Sequence, residues 1–303
     1  IVQVDSSGKL RFPGSRGHKY VTNFWDKHTN MVETVLLHTK DAFLPKLVEY
    51  EAMLDRQGTP LKTLQMDRGT ENTNSNVREF LRTKGVRAEF AGPQEHASIG
   101  GVEGYHNRQF RGARAMLTQS GMPKQYITDT AVYFTQIKNR MPRSSKPGSS
   151  PLEMARKFED PYILSDLHVY GCEAWAKIDP NQYPDDHHVA DQARRCVFLG
   201  ISEESKDTYL LIELKTGKRF ECSNVKFNEY VFPFLMPEVW KSFSHDYVTD
   251  QLLDGDALFE DPFVDGSLPD RLLIPPFQPE FKDPPAAGPE DVTTPPGVTK
   301  GTR

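Results

Sequence analysis

Leu61-Lys62-Thr63-Leu64-Gln65-Met66-Asp67-Arg68-Gly69 reads as a strand that ends on an aspartate and turns at Arg68-Gly69. Upstream, Ile1-Val2-Gln3-Val4 alternates and is likewise closed by an acid, Asp5. Lys19 to Asp26 and Met31 to His38 predict a strand pair with a turn at His28-Thr29-Asn30. Lys40 to Arg56 places apolar residues at Phe43, Leu44, Leu47, Val48, Met53 and Leu54, a helical period. Asn74 to Lys84 predicts a helix, Val86 to Phe90 a short strand, and Gly100 to about Ser120 a long helix. Three strands, then helix, strand, helix, strand and helix predict an α/β core with a five-stranded mixed sheet flanked by helices.

Asp5, Asp67 and Glu103 stand out among the acids, and 35 residues separate the last two. Two strand-end aspartates and one helix glutamate can converge on a pair of divalent ions, the arrangement used for in-line attack on phosphodiesters. A lone Asp-x-Gly is commonly only a turn, and an acidic chain offers many carboxylate triples. The helix after Gly100 adds a test. At 100° per residue, Val102, His106, Phe110, Ala113 and Leu117 share one apolar face. Asn107, Arg108, Arg111 and Arg114 fall on a basic side, and Glu103 lies where the two meet. An ordinary amphipathic helix with a border glutamate has the same pattern.

Further motifs resemble the integrase of copia-type LTR retrotransposons, a D,D(35)E polynucleotidyl transferase with a ribonuclease H-like core. The resemblance runs from residue 1 to about residue 230. It rests on Asp5-Ser6-Ser7-Gly8, Gly17-His18-Lys19-Tyr20, Asp26-Lys27-His28-Thr29, Leu64-Gln65-Met66-Asp67-Arg68-Gly69-Thr70-Glu71 and Gly100-Gly101-Val102-Glu103. Tyr170-Gly171-Cys172-Glu173-Ala174-Trp175 and Cys196-Val197-Phe198-Leu199-Gly200 are similar to segments that follow the core in copia polyproteins. The resemblance implies Asp5, Asp67 and Glu103 as catalytic metal ligands for two Mg²⁺ or Mn²⁺ ions, with Asp5 bridging them. It implies the 3′-hydroxyl of a retrotransposon cDNA end as nucleophile and host target DNA as acceptor, in the nucleus after passage through a cytoplasmic virus-like particle. A homo-oligomer is expected, as is target binding mainly through the phosphate backbone. Lys19, Asn107, Arg108, Arg111 and Arg114 are the candidate DNA contacts. Before the glutamate the family pattern Pro-x-x-Asn-Gly is replaced by His96-Ala97-Ser98-Ile99-Gly100, and Gly104 stands where arginine is usual. A degenerate or domesticated copy that only binds nucleic acid is the alternative, and a ribonuclease H-type nuclease is a third reading.

Charge divides the chain. Residues 1–150 carry 22 Lys/Arg against 14 Asp/Glu, whereas 151–303 carry 15 against 28, giving the overall −5. A basic first half suits a polyanion partner, and equally a solvated surface. Three cysteines without a C-x-x-C pair argue against a disulfide framework or a zinc site. No apolar run approaches a membrane span, so no membrane partner is expected.

The expected division is a catalytic core at 1–140, a helical linker at 141–166, a small SH3-like β-barrel at 167–235 and a disordered, acidic, proline-rich tail at 236–303. That last stretch contains 11 of the 23 prolines. Asp26 reads most simply as a turn residue and Glu71 as a loop cap. Asp185-Asp186-His187-His188 reads as a polar loop rather than a metal site.

Overall fold

Alternation of inward and outward residues gives each of five strands two faces. The strands are Val2–Ser6 (β1), Tyr20–Asp26 (β2), Val32–Leu37 (β3), Thr63–Met66 (β4) and Arg87–Phe90 (β5). They form one mixed sheet in the order β3-β2-β1-β4-β5. β1 runs antiparallel to β2 and parallel to β4, which is parallel to β5. The computed structural model describes residues 1–67, 69, 74–90, 100–142, 148–156, 164, 167–178, 191–202, 205 and 207–239. The predicted tail therefore lies almost wholly outside the described residues, as do Glu71 and Asp185 to His188.

One face of this sheet is apolar. Val2, Val4, Phe24, Leu64 and Met66 meet Phe43 and Leu47 of helix α1 (Phe43–Arg56) and Val77 and Leu81 of helix α2 (Ser75–Thr83). Phe24 stacks on Tyr50 with ring centroids 4.4 Å apart. Burial of each such side chain contributes roughly 1.5–3 kcal/mol. Asn74 caps α2 by accepting the Asn76 N–H, which explains where that helix starts. The predicted helix from Lys40 opens as a 3₁₀ turn, Lys40–Ala42, before α1 proper.

The other face packs on helices α3 (Gly100–Ser120) and α4 (Ile127–Arg140). Two glycines permit the close approach. A Cβ on Gly101 would lie 1.7 Å from the Trp25 ring, and one on Gly112 2.1 Å from the Phe134 ring. α4 also carries two side-chain amides that imitate strand pairing. Asn139 accepts from Val32 N–H at 3.0 Å and donates to Val32 C=O at 2.7 Å, covering the edge of β3. Three residues earlier, Gln136 does the same for Ile201 in a second sheet, at 3.1 and 2.9 Å.

That second sheet is antiparallel, with strands Glu173–Lys177 (β6), Ala193–Ile201 (β7), Tyr209–Glu213 (β8), Arg219–Cys222 (β9) and Val225–Asn228 (β10). Its order is β10-β6-β7-β8-β9. The expected barrel is corrected here: among the described residues the sheet stays open. Ser223-Asn224 carries the chain from β9 on one edge to β10 on the other, and no ladder joins the two edges. A short helix α5 (Pro151–Arg156) precedes this sheet. One apolar core continues from Phe110, Ala113 and Leu117 of α3 through Ala131 and Tyr133 of α4 to Val197, Phe198 and Leu211 of the second sheet. Asp129 of α4, almost fully buried, pairs with Arg219 of β9 and accepts from Ser15 Oγ. No described helix is long and apolar enough to cross a membrane.

Candidate active site

The α3-facing side of the first sheet is lined by polar residues in register. Asp5 pairs across with Asn23, and Asn23 with Thr34. Toward β4, the last paired position is Val4↔Met66, so Asp5 and Asp67 are the residues that follow it on neighbouring parallel strands. One step back, Gln3 donates to Gln65 Oε1 at 3.0 Å, and Gln65 donates to Glu89 Oε2 at 2.7 Å. Side chains two apart share a face, so Gln3 and Asp5 look the same way, as do Gln65 and Asp67.

α3 docks on this polar side through three of its own residues spaced by about one turn. Val102 N–H donates to Gln3 Oε1 at 3.2 Å. His106 Nδ1 lies 3.2 Å from Asp5 Oδ2. Gln109, fully buried, accepts from Asn23 Nδ2 at 2.7 Å and donates to Thr34 Oγ1 at 3.0 Å and Thr135 Oγ1 at 2.9 Å. This seam fixes the rotation of α3 and with it the position of Glu103. Glu103 is half-buried in the first turn, where a negative charge also suits the helix dipole.

The structure thus puts Asp5 and Asp67 on adjacent strand ends and Glu103 on the helix packed against β1. It does not draw them into one ligand set. Among the described residues no three of His, Cys, Asp and Glu stand close enough together to hold an ion. Each aspartate has a local partner instead: Asp67 Oδ1 accepts the Gly69 N–H at 3.1 Å, an Asx turn, and Asp5 faces His106. Oxygen donors of this kind suit Mg²⁺ or Mn²⁺ in chemistry.

Asn107, Arg108, Arg111 and Arg114 are exposed along α3, and Lys19 is half-buried just before β2. Because Ser6 pairs with Thr22, Lys19 lies toward the end of the sheet where β1 finishes. Asp26 is a turn residue, accepting from the backbone of His28 and Thr29 and from Thr29 Oγ1. A cleft of about 380 Å³, lined by Ile1, Asp26, Tyr50, Leu61 and Met154 among others, lies at the opposite end of β1. Cys172 and Cys196 are core residues whose thiols burial pushes up to about 12, which makes them inert.

Helical periodicity placed His106 on the buried face but gave no hint of its partner, 101 positions away. Gln109 was missed, because a buried glutamine is marked only by the groups it satisfies.

Residues 172–239 match the family model of the retroviral polymerase SH3-like domain. Over 219 residues, 72% of this chain, the sequence is 25% identical to the retrovirus-related Pol polyprotein from transposon RE1 of Arabidopsis thaliana. Over 228 residues, 69% of this chain, it is 23% identical to the transposon Ty1-LR3 Gag-Pol polyprotein of Saccharomyces cerevisiae. The matches span 14% and 13% of those two proteins. These similarities, to an SH3-like domain of retroviral polymerases and to parts of two transposon Pol polyproteins, support a fragment of a retrotransposon Pol polyprotein.

Proposed function

We propose that this chain is the integrase part of such a polyprotein, with a ribonuclease H-like core that joins the 3′ ends of element cDNA to host DNA. The observation that carries the reading is that Asp5 and Asp67 follow the paired positions Val4↔Met66 on adjacent strands, with the helix that bears Glu103 packed against β1. The three carboxylates would hold the divalent ions. Bound in pairs, Mg²⁺ or Mn²⁺ activates an attacking oxygen and stabilises a leaving one. The exposed arginines of α3, with Asn107 and Lys19, hold the phosphate backbone on the same side of the sheet. Their contribution is electrostatic and sequence-independent, which suits an enzyme that must accept many target sites. Homo-oligomeric assembly and a nuclear site of action belong to the same proposal.

A copy that binds DNA without joining it is the second reading. It is favoured by the separate local partners of Asp5 and Asp67. A strand-transfer assay with a labelled LTR-end duplex and target DNA separates the two. Joined products that need Mg²⁺ or Mn²⁺ and vanish in Asp67→Asn support the integrase. Retained DNA binding with no product under any condition supports the second reading.

A further inference from the structure

We infer that His106 is the positioning residue for Asp5; the inference rests on the metal-dependent reading above. His106 sits three residues after Glu103 on α3, and its Nδ1 meets Asp5 Oδ2 at 3.2 Å. One contact therefore links the two elements that carry two of the three carboxylates. An ionised carboxylate only accepts, so the proton of this bond is on Nδ1.

The imidazole is itself held still. It is buried, 7% exposed, and stacks on Phe110 one turn along at 5.2 Å and 9°. Its other nitrogen, Nε2, is buried with no hydrogen-bond partner among the described residues. A purely structural residue at this place would do better as leucine, which packs on Phe110 and leaves no polar atom unsatisfied. What leucine lacks is the Nδ1–H that fixes the Asp5 carboxylate. Hydrogen-bonded supports of metal-binding carboxylates commonly change metal affinity by about 10–100-fold when removed.

Two substitutions separate the roles. His106→Leu keeps apolar packing and loses the donor, whereas His106→Asn loses the stack and keeps an N–H near the Nδ1 position. In melts of the full chain across Mn²⁺ concentrations, the wild type is expected to gain stability with a defined midpoint, absent in Asp67→Asn. That midpoint should move about tenfold higher in His106→Leu and stay near wild type in His106→Asn. Without metal the order should reverse, with His106→Leu melting at or above His106→Asn. A wild-type midpoint in His106→Leu, alongside a responsive wild type, overturns the positioning role alone. A wild type that ignores Mn²⁺ overturns the metal-dependent reading and this inference with it.

Discussion

The two faces of the first sheet are built by different means. Beneath α1 and α2 the contacts with the sheet are apolar: Phe24, Leu47, Leu64 and Met66 fill space. Under α3 and α4 apolar contacts such as Val21 with Phe110 and Ala113 are joined by specific hydrogen bonds, from Val102 to Gln3, His106 to Asp5 and Gln109 to Asn23 and Thr34. The first face stabilises through apolar burial alone, and area removed from water sets the size of that contribution. The second also admits one register only, because a slip would strand buried polar groups. Hydrogen-bonded alignment thus belongs to the second face, and the candidate catalytic acids lie on it.

Phe24→Ala should break the apolar face most severely, costing about 3–5 kcal/mol through lost contact and a residual cavity. Phe24→Leu should recover much of this and leave DNA joining near wild type. Denaturant unfolding checks the first part and a joining assay the second. Gln109→Leu comes next, at about 1–3 kcal/mol, because Asn23 and Thr34 lose a buried partner. Its effect on joining should exceed its effect on stability, since Glu103 rides on the same helix. Were Phe24→Leu and Gln109→Leu to impair joining equally at equal stability, the division between faces would not hold.

The smallest effect lies outside both faces, at the stacked pair His18 and His38. Burial, with the neighbouring His38, lowers His18 from 6.5 to about 4. The folded state therefore prefers the neutral ring, and its stability is full above pH 6.5. As pH falls from 6.5 toward 4 the unfolded chain takes up the proton first and stability declines. The loss should be on the order of 1 kcal/mol, since the ring is partly solvated. His18→Gln should flatten unfolding free energy across that range.

Much of the first sheet was legible in the chain. α3 has the bounds expected, Gly100–Ser120, and all five residues assigned to its inner face are buried. Tyr105, Gln109 and Ser120 are buried as well; Tyr105 and Gln109 find their polar partners on other elements, and Ser120 bonds to the carbonyls of its own last turn, so hydrophobicity alone does not mark them. Strand ends were read one or two residues long, as at Asp67, which the ladder leaves out. The second sheet was less legible. Its strands are short, and the pairing of β10 with β6 rather than β9 is decided by contacts about 50 residues apart. Of the site, the acids and arginines were visible as types in a pattern, while the His106–Asp5 contact was not.

Glu103→Gln tests the central claim most directly. The amide keeps the side chain's shape and removes the charge proposed to hold a divalent ion. Fold and DNA affinity should stay close to wild type, and affinity should fall with salt alike in both, because it rests on the arginine face. Joining of LTR ends to target DNA should drop by several kcal/mol of barrier, each 1.36 kcal/mol being about tenfold in rate. Joining at near wild-type rate by folded Glu103→Gln would contradict the account.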